Sequence, residues 1–271
     1  MAFMGDTLSP APLWHNGPTP GAFYNFPANS SNLGPASRPL QDFRAHSASP
    51  ITTTTSVIAV KFDKGCVIAA DTLGSYGSLA RFRDCPRVMK VNDLIMLGSG
   101  GDYADFQYLR DIIEQKIIDE QCLGDGLNLK PRSLHCWLTR VLYNKRSKMD
   151  PLWNNYVVAG IQVNLNDGEP FLGAVDKLGT AYEDAAIATG LGAYMATPLI
   201  RDATEKGPLN EDALSKSDEA LVRKCMEVLF YRDARSFPRY QLGVVTAAGV
   251  TIDDTVELKH DWSLAHMIKM K

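Results

Sequence analysis

The chain predicts an α+β fold: a four-layer αββα sandwich in which two antiparallel β-sheets pack face to face between helix layers. Three observations carry that expectation. Short β-branched runs with tight-turn signals gather in three blocks, and two pairs of helix-period stretches separate the blocks. Strands and helices that come in blocks, without alternating, favour antiparallel sheets over a parallel α/β arrangement. A helix pair after each of the first two blocks then covers the outer side of each sheet.

The elements follow in order. Thr52–Phe62, the turn Asp63-Lys64-Gly65 and Cys66–Asp71 read as a hairpin. Further strands are expected at Val88–Val91 and Leu94–Gly98. The run Gly98-Ser99-Gly100-Gly101 lacks the lysine of a phosphate-binding loop and reads as a tight turn into a helix. From Tyr103, apolar residues at Phe106, Leu109, Ile113 and Ile117 give a helix to about Cys122. Pro131 suits a first helical position, and Leu134, Trp137, Leu138, Val141 and Leu142 continue a second helix. The basic run Asn144-Lys145-Arg146-Ser147-Lys148 suits that helix's C-terminus, where cations complement the dipole.

Strand patterns return at Tyr156–Asn164, with Asn166-Asp167-Gly168 as the turn, and at Phe171–Asp176 and Thr180–Ala188. Helices are expected at Ala193–Glu205 and Asp218–Tyr231, the latter with Leu221, Cys225, Val228 and Leu229 on one face. A last hairpin, Gln241–Thr246 and Val250–Ile252, turns at Ala248-Gly249. The tail Lys259–Lys271 carries Trp262, Leu264, Met267 and Ile268, more apolar surface than a solvated terminus exposes. Burial on a partner explains it; folding back on its own domain is the alternative.

Composition narrows the function. A chain of 271 residues, 45% hydrophobic, can bury one large core plus a tail. A net charge of −3, from 28 basic and 31 acidic residues, gives no footprint for nucleic acid or an anionic membrane. Cys66, Cys85, Cys122, Cys136 and Cys225 are scattered without a C-x-x-C pair, which fits reduced thiols in an intracellular protein. No apolar run approaches a membrane span, and the five histidines offer no zinc-ligand spacing, so neither a metal nor another cofactor is expected. Residues 1–50 hold eight prolines and only four charged side chains. Such a leader cannot sustain a helix. It is either a disordered tail or a propeptide removed in maturation, and composition leaves both open.

The threonines of ITTTTSVIAVKFDKGCVIAADT, residues 51–72, raise a chemical question. A threonine hydroxyl is a weak nucleophile unless a base stands beside it, and one such base is the residue's own α-amine, freed when the preceding peptide is cut. That amine has a pKa of about 7.7–8.0. A lysine nearby would hold the local potential positive, and an aspartate would hold the lysine.

Four stretches resemble the β-type subunits of the 20S proteasome, within the N-terminal-nucleophile (Ntn) hydrolase superfamily. They are Thr55-Ser56-Val57, the run GCVIAAD at residues 65–71, LGSGGDYAD at residues 97–105 and YRDARS at residues 231–236. The resemblance covers essentially everything after residue 50. The runs LGSYGSLARF at residues 73–82 and GDYADF at residues 101–106 look like the eukaryotic β7-type branch, known as non-catalytic.

What the resemblance implies is specific. Thr55 falls at the nucleophile, Asp71 at the family aspartate, and Arg87 at the lysine. Arginine keeps the charge, but its planar, bulkier guanidinium cannot relay protons as an ammonium can. Leu191 stands where catalytic members place a serine. Asp233 and Ser236 match supporting residues, although Phe237 replaces the usual following glycine. Thr54 replaces the flexible glycine that self-cleavage wants. The implied protein is an inert structural subunit; the competing expectation is an active threonine endopeptidase with Thr55 as its nucleophile, and a third is a free-standing binding module. The resemblance further implies a propeptide, residues 1–46, cut between His46 and Ser47 by an active neighbour. It implies a subunit domain at 47–258 and an extension at 259–271 reaching the facing β ring. Partners would be the other α and β subunits of a hetero-oligomeric 28-subunit particle (α7β7β7α7) and, indirectly, the regulatory particle. The setting would be ATP- and ubiquitin-dependent protein degradation in cytoplasm and nucleus.

Overall fold

In the computed structural model, the described residues are 49–126, 128–163, 168–207, 209–210 and 220–263. The expected cut between His46 and Ser47, the turn at 166–167 and tail residues 264–271 lie outside them.

Five strands form one antiparallel sheet in the order β11-β2-β3-β12-β13: Ala186–Ala188, Val57–Phe62, Gly65–Asp71, Arg239–Thr246 and Gly249–Glu257. A second runs β10-β9-β8-β7-β6: Ala181–Glu183, Gly168–Val175, Asn154–Val163, Ile95–Gly101 and Val88–Asn92. Alternation of side chains across the strands explains why the runs VIAV and GCVIAA are apolar throughout. Val57, Ala59, Cys66, Ile68 and Ala70 face the opposite sheet, where they meet Met96, Val157 and Ala159. Ile58, Val60, Val67 and Ala69 face outward, under Ala196, Ile200, Cys225 and Leu229. Both faces are buried, so a slip of one residue would exchange the two cores.

Helices α1 (Tyr103–Leu123) and α2 (Pro131–Ser147) cover the second sheet. Phe106, Leu109, Ile113, Leu134, Leu138 and Leu142 pack there on Ile95, Leu97, Tyr156 and Val158. Asp102 caps α1 by accepting the Ala104 N–H at 2.8 Å, and Gly124, at φ 62°, ends it. Pro131 opens α2, whose last turn carries Lys145 and Arg146. Helices α3 (Gly192–Glu205) and α4 (Leu221–Arg232) cover the first sheet. The four expected layers are present, and none of the described helices is long and apolar enough to cross a membrane.

Four elements differ from the sequence expectation. Gly98-Ser99-Gly100-Gly101, expected as a tight turn, continues strand β7 to Gly101, where Ser99 to Gly101 pair with Tyr156 to Asn154. Thr52–Phe62 is two strands, because after β1 (Thr52–Thr53) both the N–H and the hydroxyl of Thr54 turn to the Gly101 carbonyl. Thr180–Ala188 is also two strands, and they belong to different sheets. Tyr182 pairs with Ala174 in one and Ile187 with Ala59 in the other, the chain crossing over at Asp184 and Ala185. Between Asp71 and Val88 stands a hairpin the sequence did not announce, β4 (Gly74–Tyr76) and β5 (Leu79–Phe82), which with β1 makes a third small sheet. Every residue of β5 is exposed, so it carries no alternating apolar signal. The start of the tail packs on its own domain: the Trp262 ring sits edge-on to Tyr231 at 5.0 Å and to Phe230 at 5.8 Å. The Tyr231 hydroxyl accepts the Asp261 N–H at 2.7 Å. Trp262 nevertheless stays 51% exposed.

Candidate active site

Strand register brings the first site residues together. Val57 pairs with Ala70, and Thr55, just ahead of β2, arrives beside Asp71 at the end of β3. Its hydroxyl donates to Asp71 Oδ2 at 2.6 Å. Arg87 precedes β6 and is fixed through its backbone. Its N–H and that of Val88 both donate to Gln241 Oε1, at 2.7 and 3.0 Å, and its carbonyl accepts the Ser99 N–H at 3.0 Å.

The guanidinium of Arg87 is fully engaged. Nε donates to the Asp71 carbonyl at 2.8 Å, and Nη1 donates to the carbonyls of Thr55 and Ser99 at 2.9 and 3.1 Å. Nη2 donates to Asp71 Oδ1 at 2.6 Å, to Thr55 Oγ1 at 3.1 Å and to the Ser56 carbonyl at 3.2 Å. An arginine has five N–H donors, and every donor nitrogen has an acceptor here. Both side chains of the ion pair are 1% exposed. Burial pushes the Asp71 carboxyl above its ordinary range, against the pull of the Arg87 charge and of the hydrogen bonds from Thr55, Arg87 and Leu73.

This arrangement holds the hydroxyl from both sides. The Thr55 oxygen donates to the Asp71 carboxyl and accepts from the Arg87 guanidinium. Its nitrogen is an amide joined to Thr54, whose own N–H is held by the Gly101 carbonyl at 2.8 Å.

Above Thr55 lies a cleft of about 600 Å³ whose walls include Ser56, Gly100, Gly101, Leu191, Asp233 and Arg235. Leu191 is half exposed on that wall, just before α3. Asp233 ends α4, its carboxylate accepting the Arg235 N–H at 3.0 Å and its carbonyl the Ser236 N–H at 3.1 Å. Thr55, Asp71 and Arg87 are thus in direct contact; Leu191 and Asp233 share the cleft without bonding Thr55, and Ser236 stands behind Asp233. Among the described residues no cluster of three or more metal-ligating side chains occurs.

Four residues of the site escape a linear reading. Ser56 Oγ accepts the Gly192 N–H at 2.8 Å, and Thr189 Oγ1 accepts the Val57 N–H at 3.0 Å, together seating the start of α3 beside Thr55. Ser99 and Gln241 position Arg87 from strands β7 and β12. Gln241 did leave a signal: it is a lone amide in the apolar strand YQLGVV, 2% exposed.

An αββα sandwich with a threonine ahead of its first long strand, an acid ending the next and a cation beneath both defines the class: proteins of the Ntn-hydrolase fold. Comparison narrows it. The profile of the proteasome subunit family matches residues 51–245, and this chain belongs to that family. It is 50% identical to proteasome subunit beta type-4 of Xenopus laevis over 253 residues, covering 93% of this chain and 96% of the relative. Identity to proteasome subunit beta type-4 of Drosophila melanogaster is 43%, over 95% and 96% of the two chains. Against proteasome subunit beta type-7 of Saccharomyces cerevisiae it is 39%, over 81% and 84%.

Proposed function

We propose that this chain is a non-catalytic, structural subunit of the β7-type (beta type-4 in animals) in the proteasome core particle, supporting ring and half-particle assembly. Cleavage is then done by neighbouring β subunits. The observation that carries the reading is Arg87: a permanent cation, buried and with every donor nitrogen engaged, stands beside Thr55 where a titratable amine would be needed. Leu191 on the cleft wall and the tethered Thr54 add support.

The test is covalent. Particles treated with an epoxyketone-type reagent should carry adducts on catalytic neighbours and none on this chain by intact mass. A stoichiometric adduct on Thr55 means that the subunit is an active threonine endopeptidase. Arg87→Lys alone should not restore labelling, since Leu191 and the Thr54–Thr55 bond remain.

Maturation belongs to the same reading. A neighbour removes residues 1–46, leaving Ser47 as the first residue in finished particles of cytoplasm and nucleus. Retention of the leader, or a mature terminus at Thr55, refutes this. The partners are the other α and β subunits of the α7β7β7α7 particle. The extension at 259–271 serves contact with the facing β ring, so truncation after Ser263 should slow the joining of half-particles while sparing the Trp262 contacts with α4.

A further inference from the structure

A cavity of about 770 Å³ opens where the edge strand β6 ends. It lies at the start of β7, whose seven residues carry the chain about 20 Å away to Gly101, on the wall of the Thr55 cleft. A bulge shapes its floor: Lys90 pairs with Met96 and Asn92 with Ile95, leaving Val91 as the extra residue. Such a bulge bends an edge strand and interrupts its ladder. Two cores reach the cavity as a result. The inter-sheet core does so through Leu94 and Ile161, and the helix-covered core through Val91, Ile117 and Leu129.

One wall is pinned in place. The Leu129 N–H donates to Glu120 Oε2 at 2.9 Å, and its carbonyl accepts Asn92 Nδ2 at 3.0 Å. Asn92 Oδ1 in turn accepts the Leu94 N–H at 2.9 Å. The charge around the cavity is one-sided. Asp93 is already paired with Lys90 at 2.7 Å, whereas Lys130 meets no carboxylate among the described residues. Lys130 also stands at the N-cap of α2, a helix of 17 residues with no side-chain cap and no acid in its first turn, so the positive end of the helix dipole adds to the lysine charge. A preformed, mainly apolar cavity with a few placed polar groups is the usual form of a small-molecule site, and this volume lies within the range of about 300–1,000 Å³ that such sites span.

We propose that this cavity binds a free long-chain carboxylic acid, its apolar chain against Val91, Ile117 and Ile161 and its carboxylate at Lys130. The charge selects that class. A neutral hydrocarbon leaves Lys130 unopposed, and a cationic amphiphile meets it with like charge. One negative charge suffices, because Lys130 is the unpaired cation on the wall among the described residues. A bound acid joins the end of α1, the bulge of β6 and the start of α2 at a point remote from Thr55, so the inference does not depend on whether Thr55 is inert.

Assembled particles test it, with myristic acid carrying a diazirine at its chain end as the photoreactive probe. Labelling of this chain should saturate and map to residues 91–94, 117 and 161–163. Unlabelled myristic acid should compete. Myristyl alcohol, which keeps the chain and lacks the charge, should compete at least about tenfold more weakly. Lys130→Glu should weaken labelling by at least about tenfold, while Lys130→Arg should retain it. Ile117→Trp, which fills the cavity, should abolish it. Labelling that does not saturate, or that spreads evenly over the chain, overturns the site. Equal competition by the alcohol means an apolar groove without a seat for an anion and overturns the assignment of a carboxylic acid. Stronger competition by a peptide with an apolar C-terminal residue overturns it too, since the occupant is then a polypeptide end. The comparison of acid with alcohol uses the natural chain, so it decides the matter even where a variant fails to assemble.

Discussion

Replacing Arg87 with methionine probes the buried centre most directly. Methionine fills much of the volume but leaves Asp71 without its counter-charge at a site where both partners are 1% exposed. Breaking a buried pair from one side costs about 3–5 kcal/mol, because the remaining charge is stranded. The carbonyls of Asp71, Thr55, Ser56 and Ser99 lose a donor in the same step. At about 2–4 °C per kcal/mol for a domain of this size, the unfolding midpoint should fall by about 6–20 °C. The pH dependence has a definite sign. Burial already pushes the Asp71 carboxyl upward, and removing the arginine pushes it further, above its unfolded value. A group raised on folding contributes stability at pH below its unfolded pKa and loses it as pH rises. The variant's deficit should therefore be larger at pH 8 than at pH 5. Arg87→Lys, which keeps a charge but offers three donors in place of five, should fall between natural and methionine forms. Adding Asp71→Leu to the methionine variant should recover part of the loss. Urea or thermal unfolding of the folded subunit decides it: an Arg87→Met midpoint within about 1 kcal/mol of the natural chain, or a deficit that grows toward acid pH, refutes the assignment of this pair as the clamp beneath Thr55.

Other outcomes can be checked on the same material. Gly101→Ala should be markedly destabilising, since its φ of 107° is unfavourable and its new Cβ would lie 2.0 Å from the Trp153 carbonyl oxygen; Gly124→Ala, at φ 62° with open space around it, should cost only about 1–2 kcal/mol. Burial pushes the thiols of Cys66 and Cys225 up to about 12, so at pH 8 both should resist iodoacetamide until the chain is denatured, and labelling of either in the folded state refutes the packing. The same two thiols should make the fold lose stability as pH rises from 9.0 toward 12, a fall visible in urea titrations and reduced in a Cys66→Ala, Cys225→Ala background.

Much of the fold was legible because its signals are local. The turn Asp63-Lys64-Gly65, Pro131 at a helix start and the period of Phe106, Leu109 and Ile113 each report on a few neighbouring residues. What stayed hidden depends on partners far along the chain. Thr54 leaves the strand for a carbonyl 47 residues away, and the division of 181–188 between two sheets depends on Ala174 and Ala59. The hairpin β4–β5, whose second strand is wholly exposed, has no apolar alternation to read, since backbone pairing defines it. At the site, residue types at Thr55, Asp71, Arg87 and Leu191 could be matched to a family pattern, but the engagement of every arginine donor nitrogen could not. That engagement needs Ser99 from one sheet and Asp71 from the other, with Gln241 setting the backbone beneath.

The central place of β3 has a consequence for how the chain comes into being. Asp71 at its end pairs with Tyr240, and its start, Gly65, with Thr246. On a ribosome adding about 5–20 residues each second, the intervening roughly 170 residues take about 8–35 s to appear. For that time the nascent hairpin β2–β3 presents an unpaired, almost wholly apolar edge with no strand of its own chain to close it. Such long-range pairing folds slowly and exposes adhesive edges meanwhile. The subunit's most vulnerable moment therefore comes during synthesis, and helpers that shield a sheet edge until the C-terminal hairpin emerges would protect it better than any gain in final stability.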